Sequence, residues 1–304
     1  MIALNIQNET DRLEAVVLGI ANSFGGTPSL DKCYDPKSKA HVQAGTFPLE
    51  EAIVPEMEAV RVALEKHGVQ VYRPIEIKGL NQIFARDIAF VIDDVMVLPN
   101  IIKDRADELN AVQHILDEVE PIKLLKMPAE ARAEGGDVMP WNEYIFVAYS
   151  EEVDFEKHQV ARTNKEGVEF LAAAFPNRKV KAFELNKSDE NPRENALHLD
   201  CCFQPIGKNQ AILFEGGFKH AKDVDFLVDY FGEANIIRIT KEEMYEMNSN
   251  VFSISPEVII SEKGFTRLNA ELRNRGFQVE EVPYVEIAKM EGLLRCSTMP
   301  LRRK

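Results

Sequence analysis

Several short segments of the sequence carry side chains that can act on a substrate, and a cysteine close to residue 300 is the strongest nucleophile among them. Cys296 lies in RCSTMP, and its flanking residues are typical of a loop rather than of a buried apolar strand. A thiolate is a strong nucleophile, but it needs a nearby base or cation to form near neutral pH. A lone cysteine is more often an inert core residue. The function of Cys296 therefore depends on the other segments.

An imidazole and a carboxylate lie two residues apart in ALHLDCCF. On a strand, positions i and i+2 share a face, so His198 and Asp200 are predicted to point into the same space, where they suit acid–base chemistry. A structural histidine at a sheet edge is the alternative. Cys201 and Cys202 are expected to pack, because one nearby histidine does not complete a tetrahedral zinc set.

Two further acids, Glu134 and Asp87, lie in the segments EGGD and FARD. Glu134 precedes a glycine pair, which permits positive φ angles and close approach of the backbone; an ordinary turn would use the same residues. Asp87 follows Phe84 and Arg86, and it is either a strand-entry residue, an ion-pair partner of Arg86 or a substrate ligand. A planar guanidinium matches carboxylates in a two-bond fork, so Asp87 and Asp200 together would bind and orient one.

These groups recur at intervals of similar length, in the order Asp87, Glu134, His198, Asn250 and Cys296. Similar intervals indicate that each group occupies the equivalent place in a repeated structural unit. If the units are arranged about an axis, their loops converge on one cleft. This convergence is the central prediction from the sequence.

The elements that must position these groups alternate between amphipathic helices and short β-rich runs. In each step, apolar residues at helical spacing end at a Gly or Asn turn, and a strand follows. Strand pairs such as IAFVIDDVMVLP and FQPIGKNQAILF fill the intervals. The five steps are LEEAIVPEMEAVRVALEKHG to VQVYRP, DELNAVQHILDEVE to PIKLLKMP, KEGVEFLAAAFPN to RKVKAFELN, AKDVDFLVDYFGEAN to IIRIT, and TRLNAELRNRG to FQVEEVP.

This pattern predicts an α/β fold, and residues 1–304 are expected to form a single domain because no Pro/Gly/Ser-rich linker divides them. One stretch departs from the pattern. Residues 23–48 are polar and lack periodicity, and so long a loop in a compact domain is usually a functional lid or an ordered crossover.

Composition restricts the partners. The formal net charge is −14, which suits a cationic small substrate and argues against the basic surface that nucleic acid or an anionic membrane requires. Neither a secretory signal nor a membrane-spanning run is recognised, so we expect a cytoplasmic protein with reduced thiols. The motifs GxGxxG, GxxxxGK, HExxH, GxSxG and CxxC are absent. We therefore expect no cofactor and no metal.

FARD, EGGD, HLD and RCSTMPL, with ARTNKEG around Arg162, resemble in sequence order the signature blocks of the guanidino-group-modifying enzymes. This superfamily comprises arginine deiminases, dimethylarginine hydrolases and arginine:glycine amidinotransferases. The resemblance covers nearly the whole chain. It implies a five-bladed α/β propeller, the pentein fold, built from pseudo-fivefold ββαβ units with the active site on the axis.

The resemblance also implies residue roles. Cys296 is the nucleophile, His198 the general acid and then base, and Glu134 the carboxylate that orients His198. Asp87 and Asp200 grip the guanidinium. Phe84, Asn250 and Arg162 are further substrate-binding candidates, and Arg162, Arg193 and Arg295 are the candidate partners of a substrate carboxylate.

Three functions stay open on the sequence. The favoured one is hydrolysis of arginine or an arginine derivative to a ureido product through a covalent amidino-thioether. The reason is that RCSTMPL is similar to the deiminase and hydrolase form of this segment. One difference is that these hydrolases often have Met where Ser297 stands. An amidinotransferase is the alternative, since LEAVVLGIANSFGG and GVQVYRP resemble that branch. A non-catalytic binding or scaffold protein of the same fold is the third. The substrate is expected to be a small guanidino compound, and a homodimer is left open.

Overall fold

The computed structural model describes residues 1–304 as five three-stranded sheets with α-helices between the strands. The first sheet contains β1 (Leu13–Leu18), β2 (Gln70–Tyr72) and β15 (Thr298–Arg303). The others contain β3 (Phe90–Ile92), β4 (Val95–Leu98) and β5 (Leu124–Lys126); β6 (Val138–Trp141), β7 (Tyr144–Tyr149) and β8 (Lys179–Glu184); β9 (Phe203–Ile206), β10 (Gln210–Leu213) and β11 (Ile236–Arg238); and β12 (Phe252–Ser253), β13 (Val258–Glu262) and β14 (Gln278–Val282).

The α-helices lie mainly between the central strand of a sheet and the strand that pairs parallel with it. They are α1 (Pro36–Gln43), α2 (Glu50–Lys66), α3 (Gln113–Leu116), α4 (Glu152–Lys157), α5 (Lys165–Ala174), α6 (Ala221–Phe231), α7 (Lys241–Tyr245) and α8 (Thr266–Asn274). Short 3-10 helices fall at Leu30–Lys32, Lys103–Val112, Pro121–Lys123, Gly135–Asp137, Leu199–Cys201, Glu215–Gly217, Glu233–Asn235 and Ile287–Met290. None of the helices is both long and apolar enough to cross a bilayer.

All five sheets have the same internal topology. The central strand pairs antiparallel with one neighbour and parallel with the other, as in β3-β4-β5 and β6-β7-β8. Two strands that pair parallel must be joined by a crossover connection, and helical segments form these connections, for example α6 between β10 and β11. In the first sheet β15 pairs antiparallel with β1, which brings the two ends of the chain together. The predicted α/β fold is confirmed.

Most predicted local elements are present. The helices predicted within LEEAIV and AKDVDF correspond to α2 and α6, and Gly232 ends α6 with a φ of +84°. The run FQPIGKNQAILF forms the hairpin β9-β10, which turns at Gly207 with a φ of +59°. These elements were predictable because their signals are local: helical periodicity, turn glycines and alternating strands.

The second helix-and-strand step differs from its prediction. Over DELNAVQHILDEVE the structure has the end of a 3-10 helix, Lys103–Val112, followed only by the short α3. Residues three apart share a face in a 3-10 helix. Arg105 and Glu108 accordingly point inward together and form a buried ion pair. That burial, rather than the apolar pattern, accounts for the local geometry.

The 23–48 segment is ordered rather than featureless. It contains the 3-10 turn Leu30–Lys32 and α1, whose start is capped by the Asp35 carboxylate accepting from the backbone N–H of Ser38. Proline at the first position of α1 suits a helix start. Helix α1 packs against the 3-10 turn Ile287–Met290, just before the loop that carries Cys296. The segment therefore lies next to Cys296.

Candidate active site

The site contains an imidazole held by a carboxylate. Nε2 of His198 lies 2.9 Å from Oε2 of Glu134, and both side chains are buried. Arg162 donates to the same carboxylate at 3.1 Å. Burial by itself raises the pKa of Glu134, but Arg162, His198 and Arg105 outweigh it and hold this pKa well below its ordinary value. Glu134 is therefore an anion that orients the imidazole.

His198 is favoured in its protonated form. Burial by itself lowers the pKa of an imidazole, yet the carboxylates of Asp87, Asp137 and Glu134 together raise the pKa of His198 above its ordinary value. Nδ1 of His198 lies 3.9 Å from Oδ1 of Asp87. An imidazolium at this place can give a proton to a departing nitrogen.

The thiol of Cys296 lies between a carboxylate and an amide. It donates to Oδ2 of Asp200 at 3.6 Å, and its Sγ accepts from Nδ2 of Asn250 at 3.1 Å. Burial, Asp200 and Asp87 raise the pKa of this thiol well above its ordinary value. These surroundings therefore favour the neutral thiol over the thiolate.

Glycines allow the turns around the site to approach one another. A Cβ at Gly136 would lie 2.6 Å from Nδ1 of His198, so only glycine fits there. The predicted close approach in EGGD is thus present. The predicted positive φ is not, because Gly135–Asp137 forms a 3-10 turn without one.

The local structure around HLD also differs from its prediction. His198 is extended, but Leu199–Cys201 is a 3-10 turn, so His198 and Asp200 are not i, i+2 neighbours on a strand. The backbone N–H of Leu199 donates to the buried Asp137 carboxylate at 3.1 Å, which ties this turn to EGGD. The strand prediction was wrong because this contact joins residues that are distant in sequence.

The two carboxylates expected to grip a guanidinium are each paired with an arginine of the protein. Arg105 donates to Oδ2 of Asp87 at 2.6 Å, and the backbone N–H of Gly136 donates to its Oδ1. Arg295 donates to Oδ2 of Asp200 at 2.9 Å. A carboxylate offers about four acceptor positions. Asp87, which lines the cavity, therefore keeps acceptor capacity for a ligand, whereas Asp200 is fully buried outside the lining.

Asp87, Glu134 and His198 also present ligand atoms within 4.8 Å of one another. Arg105 lies on Asp87 and Arg162 on Glu134, so guanidinium groups already balance both carboxylates. A metal cation would be placed against these two positive charges. The donor set fits an ion-pair network better than a metal centre.

A narrow cavity joins these groups. It has a volume of about 20 Å³. Tyr34 and Asp35 of the 23–48 segment and the turn before Cys296 are part of its lining. Its lining residues are Tyr34, Asp35, Phe84, Asp87, Arg105, Arg162, Leu197, His198, Met290, Glu291, Gly292 and Cys296.

Of the three arginines considered for a substrate carboxylate, Arg162 alone lines this cavity. Arg193 stacks on the ring of Tyr245 at 4.0 Å and is outside the lining. Arg295 is buried between Glu9 and Asp200. Of the three arginines that the sequence offered as partners of a substrate carboxylate, the tertiary structure therefore leaves Arg162.

The structure brings Cys296, His198, Glu134, Asp87, Phe84 and Arg162 to this site, with Asp200 and Asn250 directly behind the sulfur. Three further residues of the lining, Arg105, Asp35 and Glu291, were not predicted from the sequence. Arg105 and Glu108 look like an ordinary surface pair at i, i+3, so no sequence signal marked them as buried. Glu291 carried no signal either, although its φ of +58° is unusual for a residue with a side chain.

Two curated relatives share sequence with the chain. The uncharacterized protein YkgA of Bacillus subtilis is 29% identical over 242 residues, which are 79% of this chain and 77% of that protein. The N(G),N(G)-dimethylarginine dimethylaminohydrolase of Pseudomonas aeruginosa is 23% identical over 197 residues, 65% of this chain and 67% of that enzyme.

Solved structures of guanidino-modifying enzymes share the fold. The N-terminal domain of ArgZ, a cyanobacterial arginine dihydrolase, has a TM-score of 0.79 at 16% identity, covering 96% of this chain and 98% of that one. SxtG, an amidinotransferase from Microseira wollei, has a TM-score of 0.77 at 19% identity, covering 99% and 97%. The Pseudomonas aeruginosa dimethylarginine hydrolase with citrulline has a TM-score of 0.72 at 19% identity, covering 95% and 99%.

A family model gives the most specific match. The model described as N,N dimethylarginine dimethylhydrolase, eukaryotic, matches residues 38–303, which contain every residue of the cavity lining except Tyr34 and Asp35. The protein is thus a guanidino-modifying enzyme, and the chain belongs to the N,N dimethylarginine dimethylhydrolase family.

Proposed function

We propose that the protein hydrolyses the guanidinium group of arginine or an arginine derivative to a ureido product, with Cys296 as nucleophile. One observation carries the proposal: an imidazole paired with a buried carboxylate lines the same cavity as a cysteine thiol. This arrangement supplies a nucleophile, a proton donor and an orienting anion together. The scaffold alternative is set aside, because the chain belongs to an enzyme family.

We also propose that the five sheets are the blades of a single-domain propeller, with the site on its axis. The support is the uniform topology of the sheets and the placement of the active groups. Asp87, Glu134 and His198 each precede the hairpin of a different sheet, and Cys296 precedes β15. Equivalent positions in successive blades would face the same central space.

Substrate binding follows from the charges of the cavity. The guanidinium of the substrate binds to the remaining acceptor positions of Asp87, and Phe84 packs along the cavity wall. Asp200 lies behind the sulfur, outside the lining, and acts on the guanidinium through its charge. Arg162, which lines the cavity and also holds Glu134, is the candidate partner for an α-carboxylate. Arg105 is a second cation of the lining, although Asp87 and Glu108 already hold it.

The first chemical step requires a thiolate. A bound cationic guanidinium balances Asp87 and Asp200, whose negative charges raise the pKa of the thiol, so substrate binding favours loss of the thiol proton to solvent. The sulfur then forms a bond to the guanidinium carbon. As the carbon–nitrogen bond breaks, the imidazolium of His198 protonates the departing nitrogen. The products of this step are a free amine or ammonia and an amidino-thioether on Cys296.

The second step reverses the role of His198. The imidazole, now neutral, takes a proton from water, and the resulting hydroxide adds to the amidino carbon. The carbon–sulfur bond then breaks, which releases the ureido product and the thiolate. Glu134 stabilises the imidazolium each time it forms, because the carboxylate stays ionised in this environment.

An amidinotransferase is the second candidate, favoured by the shared fold with SxtG. The covalent intermediate would be the same, and an amine rather than water would attack it. The resting geometry of the cysteine, histidine and carboxylate serves both reactions. The fate of the intermediate must therefore be measured.

The test is mass spectrometry of wild-type and Cys296→Ala protein with arginine, methylated arginines and other guanidino acids, each with and without glycine or ornithine. We expect a ureido product without an acceptor, and its loss in Cys296→Ala. Cys202→Ala removes a buried thiol outside the cavity and should keep product formation. A guanidino product that forms only with an amine would assign the enzyme to the transferases, and activity that survives in Cys296→Ala would refute the nucleophile.

A further inference from the structure

The side-chain amide of Asn250 makes its hydrogen bonds to the loops that carry Asp200 and Cys296. Its Oδ1 accepts from the backbone N–H groups of Arg295 and Cys296 at 2.9 and 3.2 Å. Its Nδ2 donates to Sγ of Cys296 at 3.1 Å and lies 3.4 Å from the carbonyl of Asp200. Asn250 is fully buried and is not among the cavity lining. Both ends of the amide are thus occupied by protein partners, which leaves no part of it for the substrate contact expected from the sequence.

We propose that Asn250 is a positioning residue, which fixes the sulfur of Cys296 and stabilises its thiolate by an N–H to sulfur hydrogen bond. The inference rests on the proposed function, because it matters to catalysis only if Cys296 is the nucleophile. A donor directed at the charged form of a group favours that form. The effect is larger where water is excluded, as it is around this buried sulfur.

The other surroundings of the sulfur mostly oppose negative charge. Burial is the largest effect, and the carboxylates of Asp200 and Asp87 add to it. The backbone at Leu293 assists Asn250, while Arg295 is directed away to Glu9 and Asp200. The titratable and charged groups near Cys296 are Asp87, His198, Asp200, Cys201, Tyr284 and Arg295. The cavity lining that Cys296 shares also contains Tyr34, Asp35, Arg105, Arg162 and Glu291. Among side chains, the Asn250 amide is the one that donates a hydrogen bond to the sulfur.

The frame around Asn250 fixes this geometry. Its backbone N–H donates to the carbonyl of Met247 at 2.9 Å, and the hydroxyl of Ser249 donates to the carbonyl of Asp200 at 2.8 Å. Turning the amide over would place its NH₂ group against the two N–H groups of the nucleophile loop. The N–H that points at the sulfur is therefore held in place before any substrate arrives.

The test measures the rate at which iodoacetamide alkylates Cys296, without substrate, between pH 7 and 9, by mass spectrometry of the Cys296 peptide. Asn250→Asp keeps an acceptor for the two backbone N–H groups but removes the donor and adds charge. Asn250→Leu removes the donor without adding charge. Below the thiol pKa the rate follows the thiolate fraction, so each unit by which the pKa rises slows alkylation about tenfold. We expect a slowing of at least about tenfold in Asn250→Asp and several-fold in Asn250→Leu.

Asn269→Leu is the matched control, since it removes a buried amide hydrogen bond to the carbonyl of Glu262 without a contact to the sulfur or to the loop of Asn250, and its alkylation rate should equal that of the wild type. Thermal unfolding of each variant reports the fold, and if Asn250→Leu does not fold, Asn250→Asp carries the test. Alkylation that is unchanged or faster in a folded Asn250→Asp overturns the proposal. Because the assay uses no substrate, this result is separate from whether the enzyme hydrolyses any guanidino compound.

Discussion

The charge of His198 is the property of a single residue on which the proposed chemistry depends most. Its imidazole is buried, which disfavours the cation, but three carboxylates around it reverse that preference. Glu134 is the one in direct contact, at 2.9 Å. The same contact holds the ring in one orientation. Protonation and orientation of His198 are therefore coupled through one carboxylate.

At this scale we predict a changed pH profile for Glu134→Gln. A general acid must be protonated, so activity falls as pH rises through the pKa of His198, which lies above its ordinary value of about 6.5. Removing the Glu134 charge lowers this pKa, so the alkaline limb of kcat/KM should move to lower pH. We also expect a loss of about 10²-fold in kcat/KM at neutral pH.

Glu169→Gln, an exposed change on α5, is the control and should keep the wild-type pH profile. If the alkaline limb of Glu134→Gln coincides with that of the wild type, Glu134 does not set the charge of His198.

At the scale of elements, two short 3-10 turns decide the geometry of the site. Gly135–Asp137 starts directly after Glu134, and Leu199–Cys201 starts directly after His198. Asp137 links them, because its carboxylate accepts from the backbone N–H of Leu199 and the hydroxyl of Thr163. The turns pack so closely that the His198 ring lies against the backbone of Gly136.

Gly136→Ala tests this packing. The added Cβ would lie 2.6 Å from Nδ1 and 2.7 Å from Cγ of His198, so the ring or the turn must shift. A displacement of about 1 Å in a catalytic group can cost about 10²-fold in rate. We expect kcat/KM to fall by about that factor, measured together with the thermal unfolding midpoint.

Gly276→Ala is the matched control, since Gly276 has a φ of +92° but nothing within 4 Å of a new Cβ. It should lower stability through backbone strain without a comparable loss of kcat/KM. Equal activity in the two variants would mean that the contact between Gly136 and His198 does not position the ring.

At the scale of the whole molecule, a buried charge network joins distant parts of the chain. Arg295 donates to both carboxylate oxygens of Glu9 at 3.1 Å and to Asp200 at 2.9 Å. Arg86 lies 3.8 Å from Glu9. Burial by itself raises the pKa of Glu9, but Arg295 and Arg86 outweigh it and lower this pKa to about 2. The network thus ties the segment before β1 to the loops that hold Cys296 and Asp87.

Glu9→Gln should destabilise the protein by about 3–5 kcal/mol at pH 7, because it leaves buried arginines without their counter-charge. The folded pKa of Glu9, about 2, lies below the ordinary value of 4.5. Its contribution is therefore complete above about pH 4.5 and is lost as pH falls toward 2. Urea unfolding should show a difference between wild type and variant that shrinks below about pH 4.5.

The control is Glu14→Gln, which breaks the half-exposed pair of Glu14 with Arg302 and should cost at most about 1 kcal/mol. A similar cost for the two variants would show that the Glu9 network adds no more stability than a surface pair.

Much of the fold was predictable from the sequence because its signals are local. Helical periodicity located α2, α5, α6 and α8, and alternating strands around turn residues located the hairpins β3-β4 and β9-β10. The exceptions are the segments around Arg105 and His198. There, buried contacts with distant residues override local preference and produce 3-10 turns.

The sequence by itself determined the chemistry that the protein carries: a cysteine, a histidine and the acids around them, in an order typical of guanidino-modifying enzymes. Only the tertiary structure decided which charges meet. Arg105 on Asp87, Arg162 on Glu134 and Glu9 on Arg295 are pairs between residues 18 to 286 positions apart. The residue types belong to the sequence, whereas the distance between two charged groups depends on how every intervening element packs. That distance sets the protonation of the two groups and therefore their role.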